Sequence, residues 1–515
     1  MTYVSHPNIA PGKVEERKYQ ISMAEMCLGC NTLVILPTGL GKTVVALHVI
    51  ADLVDKGKVL ILAPTKPLVE QHCEFFSGML PKKKVGSMNG LMRPDTRCSV
   101  IEANDVIIST PQAVANDLVS GKYDLSAFSL VIYDEAHRGV GNYAYVTVAE
   151  YCGPKIRCLG LTASPGSDIK KIEEVCNNLH LTRIEMRNDD DPDVSPYVHD
   201  TYINRIEVNM PKDLTDVTSL LKGLLDHYYR ELVDLHLADP GWPMSTKHML
   251  TVGSVLQKRL AKGEKTAIIY RGLTVQAICV KLLHALNLAE TQGMSALRLY
   301  MTKLNDEAGP AGTKGGKEIA GKKEYKEAWT IVNNTKVEHP KVSRVMSLVS
   351  QIINSGEGNK VMVFTQYRDT CELLVSKMSA IPGAKVAKLI GQSNGGLKQR
   401  EQIDVLDDFR SGKYNVIVST SVGEEGLDIT STNAVIFYEP VPSEIRTIQR
   451  RGRTGRKNDG EVFVLIAKGT MDEVFEESSK KKEQLMRSRL ENLNETLNKR
   501  AGIKISKGQT HIGEY

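Results

Sequence analysis

Short apolar runs alternate with helical stretches in two separate parts of the chain, and this alternation constrains the fold most. In the first part the runs cover residues 32–36, 59–62, 106–108, 130–133 and 158–161. In the second part they cover residues 361–364, 386–390, 416–419, 434–438 and 462–466. Each run of the first part ends in polar or glycine-containing residues, which is typical of parallel strands joined by crossover helices. The sequence therefore predicts an α/β fold with two parallel-sheet domains.

The region between these parts has a helical period. Apolar residues recur at steps of three and four from Leu214 to Leu235, and again from Cys279 to Leu286, as in amphipathic helices. Residues 309–323 are rich in glycine and lysine and predict an exposed loop. We expect four parts: a first α/β domain, a helical insert, a second α/β domain and a helical basic tail, at residues 1–210, 211–340, 341–475 and 476–515.

Composition narrows the possible partners. The 515 residues carry a formal net charge of only +5, so a nucleic-acid surface must be a local stripe. The sequence contains no run of about 18 apolar residues and no secretory signal, which predicts a cytoplasmic protein without a membrane partner. Nine scattered cysteines indicate reduced thiols, and the Cys27/Cys30 pair has no second pair at zinc-site spacing.

The segment LPTGLGKT, which begins at Leu36, follows a predicted strand and opens a predicted helix. Backbone N–H groups of such a turn point at phosphate oxygens, and the helix dipole helps them. Lys42 is expected to reach the β- and γ-phosphates of ATP, and the Thr43 hydroxyl to ligate Mg²⁺. Leu36 replaces the first glycine of the usual pattern, and the alternative is an ordinary glycine-rich turn. The expected ATP-binding residues here are Pro37, Thr38, Gly39, Leu40, Gly41, Lys42 and Thr43.

Two further strand ends carry polar groups. After the run 130–133, we assign Asp134 to Mg²⁺ and Glu135 to the general base that deprotonates the attacking water. A DEAH string on a surface loop is the alternative. The segment 162–164 could sense this site and relay its state, or could simply cap a helix.

Upstream, Arg17 and Gln20 are expected at the nucleotide, because a glutamine amide can read an adenine edge.

The segment 449–456 reads QRRGRTGR and is the most specific in the chain. Its arginines can stabilise the charge that develops on the transferred phosphoryl group. We therefore expect Gln449, Arg453 and Arg456 to be catalytic, with hydrolysis dependent on closure of the two domains. A basic helix without this role is the alternative.

This ordered set resembles the motifs of superfamily 2 helicases, and the large insert looks like that of the group containing archaeal Hef and the FANCM, RIG-I and Dicer helicases. The resemblance implies RecA-like domains with ATP between the two sheets, where Gly426 and Asp428 would join the nucleotide site. It also implies one nucleic-acid strand across the top of both sheets. The residues expected to contact the strand backbone are Thr65, Lys66, Thr110, Thr365, Gln366 and Thr420.

Two basic segments and the C-terminus suggest further contacts. The insert lysines and the tail cations could hold duplex arms through phosphates, or could simply be solvated faces. They are Lys314, Lys317, Lys322, Lys323 and Lys326, and Lys480, Lys481, Lys482, Arg487 and Arg489. The end of the chain, Gln509 to Tyr515, resembles the short motif that binds the sliding clamp, with a frayed terminus as the alternative.

The motifs favour an ATP-dependent helicase or translocase, and the resemblance to the Hef group implies that it acts on branched or fork-structured DNA during repair of stalled replication. Aromatic residues make up only 5% of the chain, which favours sequence-independent tracking along phosphates over base stacking. The alternative is an RNA-directed ATPase stimulated by duplex RNA. A scaffold with an inactive ATPase is disfavoured by the intact Lys42, Asp134 and Glu135.

Overall fold

A computed structural model provides the three-dimensional description of the chain. It describes residues 2–500 except Thr38, Ser164, Ser167, 189–190, 198–200, 242–243, 310–311, 357, 392–395, 421–431 and 441–459.

A seven-stranded parallel sheet forms the first domain, in the strand order β3-β4-β2-β5-β6-β1-β7. The strands are β1 Thr32–Ile35, β2 Lys58–Leu62, β3 Val85–Met88, β4 Val106–Ser109, β5 Phe128–Asp134, β6 Arg157–Thr162 and β7 Arg183–Met186. The helices are α1 Lys18–Gly29, α2 Lys42–Leu53, α3 Lys66–Met79, α4 Pro94–Ala103, α5 Pro111–Val119, α6 Ala144–Glu150 and α7 Ile169–Asn178. The predicted α/β fold is confirmed here, since the five expected runs became β1, β2, β4, β5 and β6.

The sequence analysis missed the two edge strands, β3 and β7. Their residues are only partly apolar: β3 reads VGSM, and β7 reads RIEM with an Arg183–Glu185 ion pair of 2.6 Å. Edge strands have a neighbour on one side only and need no continuous apolar run, so an apolar pattern does not reveal them.

Six helices of the described residues form a bundle, and in the sequence this bundle lies between β8 and α14. They are α8 Lys212–Asp234, α9 Thr246–Ala261, α10 Ala267–Thr291, α11 Met294–Asp306, α12 Lys314–Gly321 and α13 Lys323–Asn334. The loop expected at 309–323 is wrong, because α12 lies inside it. Thr313 caps this helix, Ile319 is buried, and a Cβ on Gly315 would lie 3.3 Å from the Ile278 side chain of α10. Gly315 therefore leaves room for this side chain, and the segment is helical despite its glycines.

Helix α10 is also the one helix of the described residues that is long and apolar enough to cross a membrane. Its position gives a different reason for this composition. It packs against α8, α9, α11 and α12, and its apolar residues Ile278, Leu282 and Ala285 are buried in the core of the bundle. A central bundle helix is apolar on most of its faces because neighbours cover most of them.

The second parallel sheet has the order β10-β11-β9-β12-β13-β8. Its elements are β8 Thr201–Val208, α14 Pro340–Asn354, β9 Val361–Phe364, α15 Arg368–Met378, β10 Val386–Leu389, α16 Gln399–Arg410, β11 Val416–Ser419, β12 Ala434–Phe437 and β13 Gly460–Ala467. The predicted boundary at residue 210 is therefore wrong for β8, which precedes the bundle yet pairs with β13 along its whole length. The ladder between them satisfies backbone groups that would otherwise be unpaired at this sheet edge.

The last helix, α17 Met471–Arg500, connects the two α/β domains. Its first turn buries Asp472 beside the second sheet. Farther along, Leu490 and Leu493 are buried in the core of the first domain, and Asn494 Oδ1 accepts a hydrogen bond of 2.9 Å from Ile184 N. The part of the expected helical tail at 476–515 that contains Leu490, Leu493 and Asn494 thus packs on the first domain.

Buried polar contacts fasten the bundle to the second sheet. The fully buried Lys341 of α14 pairs with the fully buried Asp472 of α17. Glu290, near the end of α10, accepts a hydrogen bond of 2.9 Å from Met471 N, and Thr370 of α15 donates one of 2.6 Å to Gln292 Oε1. We call the set Glu290, Gln292, Lys341, Thr370 and Asp472 the insert joint. Lys341 Nζ also donates a hydrogen bond of 3.4 Å to Thr291 O of α10, so the buried pair and the hydrogen bonds at Glu290 and Gln292 together hold the bundle on the second domain.

Candidate functional site

The phosphate loop connects β1 to α2 at the carboxyl edge of the first sheet. Gly39 and Gly41 have φ angles of 96° and 85°, in the left-handed region where side chains with a Cβ are strained. α2 begins at Lys42, so the backbone N–H groups of its first turn point out of the helix towards the loop. Leu36, which replaces the usual first glycine, is fully buried, so the turn depends on Gly39 and Gly41.

Gln20 contacts this loop through a hydrogen bond to its backbone. Its Nε2 donates a hydrogen bond of 2.9 Å to Leu40 O, and the Tyr19 hydroxyl donates one of 2.7 Å to the same oxygen. A Cβ on Gly41 would lie 2.4 Å from Gln20 Nε2, so only glycine allows this approach. Gln20 therefore positions the loop, and its reading of an adenine edge stays a prediction.

Arg17 is oriented by two neighbours at the start of α1. Its Nη2 lies 2.9 Å from Glu15 Oε2, and its guanidinium lies 5.1 Å from the centre of the Tyr197 ring. The Tyr197 ring also packs on that of Tyr19, with centres 5.7 Å apart. The segment after β7 thus folds back over the start of α1, which the sequence analysis did not foresee.

The two carboxylates of the DEAH segment lie at the end of β5, two strands from the phosphate loop. Lys42 Nζ lies 3.9 Å from Glu135 Oε1, and both side chains are largely buried. Glu135 has a φ of 49°, a strained backbone conformation of the kind that clusters at active sites. The structure therefore brings together the predicted phosphate-binding lysine and the predicted general base.

Asp134 is buried and held in its ionised form. Burial alone would raise the pKa of Asp134, but the hydrogen bond from His72 and the charges of His72 and Lys42 outweigh it, so the pKa lies below its usual range. His72 Nε2 lies 2.9 Å from Asp134 Oδ2. Thr43 and Asp134 supply a hydroxyl and a carboxylate oxygen at one edge of the sheet, and hard oxygen ligands of this kind fit Mg²⁺.

His137 connects the carboxylates to the end of β6. Its Nδ1 lies 3.1 Å from Thr162 Oγ1 and 3.4 Å from Glu135 Oε2. β6 lies between β5 and β1, so Thr162 is next to both the base and the loop. This contact supplies a physical link for the relay expected of the segment 162–164.

Sequence reasoning missed His72 and Tyr145. Tyr145 of α6 is fully buried, and its single hydroxyl hydrogen lies between the backbone oxygens of Asp134 and Leu62, the last residues of β5 and β2, with Asp134 O the nearer acceptor. His72 lies on α3, 62 positions before Asp134. No local pattern marks either residue, because each acts across a sheet edge that only the fold creates.

The predicted strand-contacting residues of the first domain lie near one another. Thr65 precedes Lys66 at the start of α3, and Thr110 precedes α5. These helices follow β2 and β4, which are adjacent and pair Leu62 with Ser109. Within the described residues the buried Thr65 hydroxyl has no hydrogen-bond partner, and phosphate contacts by Thr65, Lys66 and Thr110 stay predictions.

In the second domain the corresponding residues follow β9 and β11, which are also adjacent. Thr365 is fully buried and donates a hydrogen bond of 3.2 Å to Glu439 Oε1, while Thr420 is also buried. Gln366 donates from its backbone to Glu439 and, at 3.2 Å, from Nε2 to Pro440 O. Glu439 was not foreseen, and it ties Gln366 to the strand that leads into the arginine segment. Phosphate contacts by Thr365, Gln366 and Thr420 stay predictions.

Three family models match consecutive parts of the chain. Residues 13–167 match "Type III restriction enzyme, res subunit", residues 213–339 match "Putative ATP-dependent RNA helicase, helical bundle", and residues 341–458 match "Helicase conserved C-terminal domain". Among solved structures, the Pyrococcus furiosus Hef helicase domain aligns with a TM-score of 0.70 and 41% identity, over 90% of this chain and 98% of that one. The chain belongs to the superfamily 2 helicases.

Curated relatives of this helicase extend beyond it. A Methanocaldococcus jannaschii protein named "Putative ATP-dependent RNA helicase MJ1505" is 39% identical over 97% of the chain and 64% of its own length. The mouse Fanconi anemia group M protein homolog is 30% identical over 93% of the chain and 26% of its own length. The ATP-dependent DNA helicase mph1 of Neurospora crassa is 31% identical over 93% of the chain and 43% of its own length. The helicase thus spans between about a quarter and two thirds of the length of these relatives.

Part of the predicted site lies outside the described residues. This applies to Thr38 and Ser164 of the first domain and to the clamp motif at Gln509–Tyr515. In the second domain it applies to Gly426, Asp428, Gln449, Arg453 and Arg456. Superfamily 2 helicases hydrolyse ATP, and the described part of this helicase carries the phosphate loop and the strand-end carboxylates.

Proposed function

We propose that this helicase is an ATP-dependent DNA helicase or translocase that acts on branched or fork-structured DNA. The contact that supports hydrolysis most directly is that of Lys42 with Glu135, at 3.9 Å across the loop and strand ends. Two of the relatives support DNA as the substrate: the Neurospora crassa protein is named a DNA helicase, and the mouse protein belongs to Fanconi anemia group M.

In this proposal Lys42 and the loop amides bind the phosphates of ATP, and Glu135 takes a proton from the attacking water. Mg²⁺, when bound, would neutralise phosphate charge and be held by Thr43 and Asp134. Arg453 and Arg456 approach only when the second domain closes. ATP binding thereby favours the closed form, and loss of the γ-phosphate releases it. Alternating grip by the two domains then moves the helicase along one strand.

RNA is the second candidate substrate. The Methanocaldococcus jannaschii relative and the family model for the helical bundle both carry an RNA helicase in their names. The proposed strand contacts are hydroxyls, a lysine and an amide that meet phosphates, a group that DNA and RNA share, whereas the 2′-hydroxyl is what distinguishes RNA. Contacts of this kind are compatible with either nucleic acid.

The deciding measurement compares ATP turnover with four equimolar activators: fork DNA, linear duplex DNA, single-stranded DNA and duplex RNA. We expect fork DNA to stimulate most. Maximal stimulation by duplex RNA would replace DNA with RNA as the substrate. Equal stimulation by single-stranded and fork DNA would retain the DNA assignment and remove the preference for branches.

The proposal extends to a cellular setting, the cytoplasm, and to one protein partner, the sliding clamp. The clamp would bind residues 509–515, where Gln509, Ile512 and Tyr515 occupy positions one, four and seven. A titration of clamp with the intact chain and with a form that ends at Gly508 tests this. Equal affinity of the two forms would contradict it.

A further inference from the structure

One side of helix α3 combines core packing with a buried polar side chain. Positions at steps of four, three and four form a single row on this side, which consists of Thr65, Val69, His72 and Phe76. Val69 and Phe76 belong to the hydrophobic core of the first domain, and His72 is buried between them in the row. A buried row on a helix is ordinarily apolar. His72 is therefore a polar side chain at a position where packing alone favours an apolar one.

The partner of His72 is Asp134, the carboxylate that we assign to Mg²⁺. His72 Nε2 lies 2.9 Å from Asp134 Oδ2, and the backbone N–H of Glu135 donates a hydrogen bond of 3.1 Å to Asp134 Oδ1. Contacts to both oxygens fix the rotation of the carboxylate. Each carboxylate oxygen has a further lone pair, so both oxygens can still accept another contact. His72 therefore orients the carboxylate and leaves it able to bind.

The same helix begins at residues that we propose to contact the strand. Lys66 is half exposed and lies 3.6 Å from the exposed Glu70, and because exposed ion pairs are weak, a strand phosphate can replace Glu70 as its partner. Thr65 O accepts a hydrogen bond of 3.1 Å from Val69 N, so Thr65 moves with the first turn. His72 lies six positions after Lys66, about 9 Å along the helix axis. Two helical turns thus separate the proposed strand contacts from the contact of His72.

A movement of α3 changes the contact at Asp134. The strand that leads into α3 is β2, and it lies next to β5, which ends in Asp134. A hydrogen bond weakens steeply as its geometry departs from the optimum, so a small displacement of α3 relative to β5 alters the bond from His72. Because Val69 and Phe76 are closely packed, the helix transmits a displacement rather than absorbing it. A strand bound at the start of α3 therefore affects the orientation of Asp134.

We infer that His72 is a positioning residue that couples strand binding at the start of α3 to the binding of Mg²⁺ and ATP at Asp134. The inference rests on the proposed function, because it takes Thr65 and Lys66 as strand contacts. The alternative is a histidine that only satisfies a buried carboxylate. The two roles differ in what they change: a structural role affects stability, whereas coupling affects the factor by which strand and nucleotide strengthen each other's binding.

The test uses the full chain and measures two affinities, each with and without the other ligand. One is the affinity for a nonhydrolysable ATP analogue with Mg²⁺, and the other is the affinity for a labelled single strand of DNA or RNA. His72→Phe keeps a ring and removes the donor, whereas His72→Gln keeps an N–H donor. Phe76→Leu is the matched control, since it perturbs the packing of α3 in the same row without removing the donor. Thermal melts of all variants report stability.

In the wild type we expect each ligand to strengthen binding of the other by about 5–150-fold. In His72→Phe both factors should fall by at least about fivefold and by the same amount, because coupling is reciprocal and a hydrogen bond to a charged group is lost. His72→Gln should recover most of the coupling. Phe76→Leu should melt at a lower temperature and keep the wild-type coupling.

Two results would overturn the inference and leave the proposed function intact. They are wild-type coupling in His72→Phe, and a loss of coupling in Phe76→Leu as large as that in His72→Phe. If neither a DNA strand nor an RNA strand changes the affinity of the wild type for the ATP analogue, the proposed function and the inference both fail.

Discussion

The Nδ1 atom of His137 lies 3.1 Å from the hydroxyl of Thr162, which joins the segment that carries the proposed general base, Glu135, to the end of the neighbouring strand. The same nitrogen lies 3.4 Å from Glu135 Oε2. We therefore expect a movement of Glu135 to be transmitted through His137 to the end of β6. Within the described residues, this contact is a direct physical connection from the proposed hydrolysis site to the neighbouring strand.

We predict that Thr162→Val separates hydrolysis from strand movement. Valine keeps the shape of threonine and removes the hydroxyl, and removal of a hydrogen bond worth about 1 kcal/mol changes an equilibrium about fivefold. Basal ATP turnover should stay within a few-fold of wild type, while strand displacement per ATP falls by about fivefold or more. Thr162→Ser, which retains the hydroxyl, is the control and should displace strands normally. Equal losses of turnover and displacement would remove the relay.

We predict that substitutions in the proposed ATP site abolish ATP hydrolysis without unfolding the protein. Lys42→Ala removes the cation at the phosphates, and Glu135→Gln removes the base but keeps the size of the side chain. Removing a general base typically costs about 10²–10⁴ in rate. Both variants should unfold at the wild-type temperature in a thermal melt, and Glu135→Gln should still bind ATP. Wild-type turnover in either variant would refute the site.

The arginine segment predicts an effect on the transition state alone. Arg456→Ala should lower the turnover number by about 10³-fold or more, because such an arginine meets charge that develops only as the phosphoryl group transfers. Binding of ATP, measured by equilibrium titration, should change little. A large loss of ATP affinity with normal turnover at saturation would contradict a role for Arg456 in stabilising the transition state.

Gly41→Ala should disturb nucleotide binding through Gln20. Alanine at φ 85° is strained, and its Cβ would lie 2.4 Å from Gln20 Nε2, so Gln20 must leave the Leu40 carbonyl. We expect the KM for ATP to rise about tenfold, which corresponds to about 1.4 kcal/mol. Gly12→Ala is the matched control, since φ there is 70° and nothing lies within 4 Å of its added Cβ. A KM for Gly41→Ala no higher than that for Gly12→Ala would contradict the role of the Gln20 contact.

The insert joint predicts a large stability effect. Asp472→Ala leaves the fully buried Lys341 without its carboxylate, and breaking such a pair costs about 3–5 kcal/mol. Glu327→Ala, which breaks the exposed pair with Lys323, should cost less than about 1 kcal/mol. Denaturant unfolding of both variants checks this. A loss below about 1 kcal/mol for Asp472→Ala would show that the joint is hydrated or loose.

The two sheets and the nucleotide side of the site could be predicted from the order of amino acids alone. Lys42, Asp134 and Thr162 could be assigned because each lies just beyond or at the end of an apolar run, and residues at the carboxyl ends of parallel strands meet at one sheet edge. The residue types there, a lysine after glycines and adjacent carboxylates, carry their chemistry locally. These assignments required no knowledge of long-range contacts.

The distant residues that support the site became visible only in the folded chain. His72 and Tyr145 reach Asp134 from α3 and α6, and Glu439 reaches Gln366 across 73 positions. The place of β8 in the second sheet was not predictable, because its partner β13 lies on the far side of the helical bundle in the sequence. Such contacts depend on which elements become neighbours, and a local pattern of residues does not contain that information.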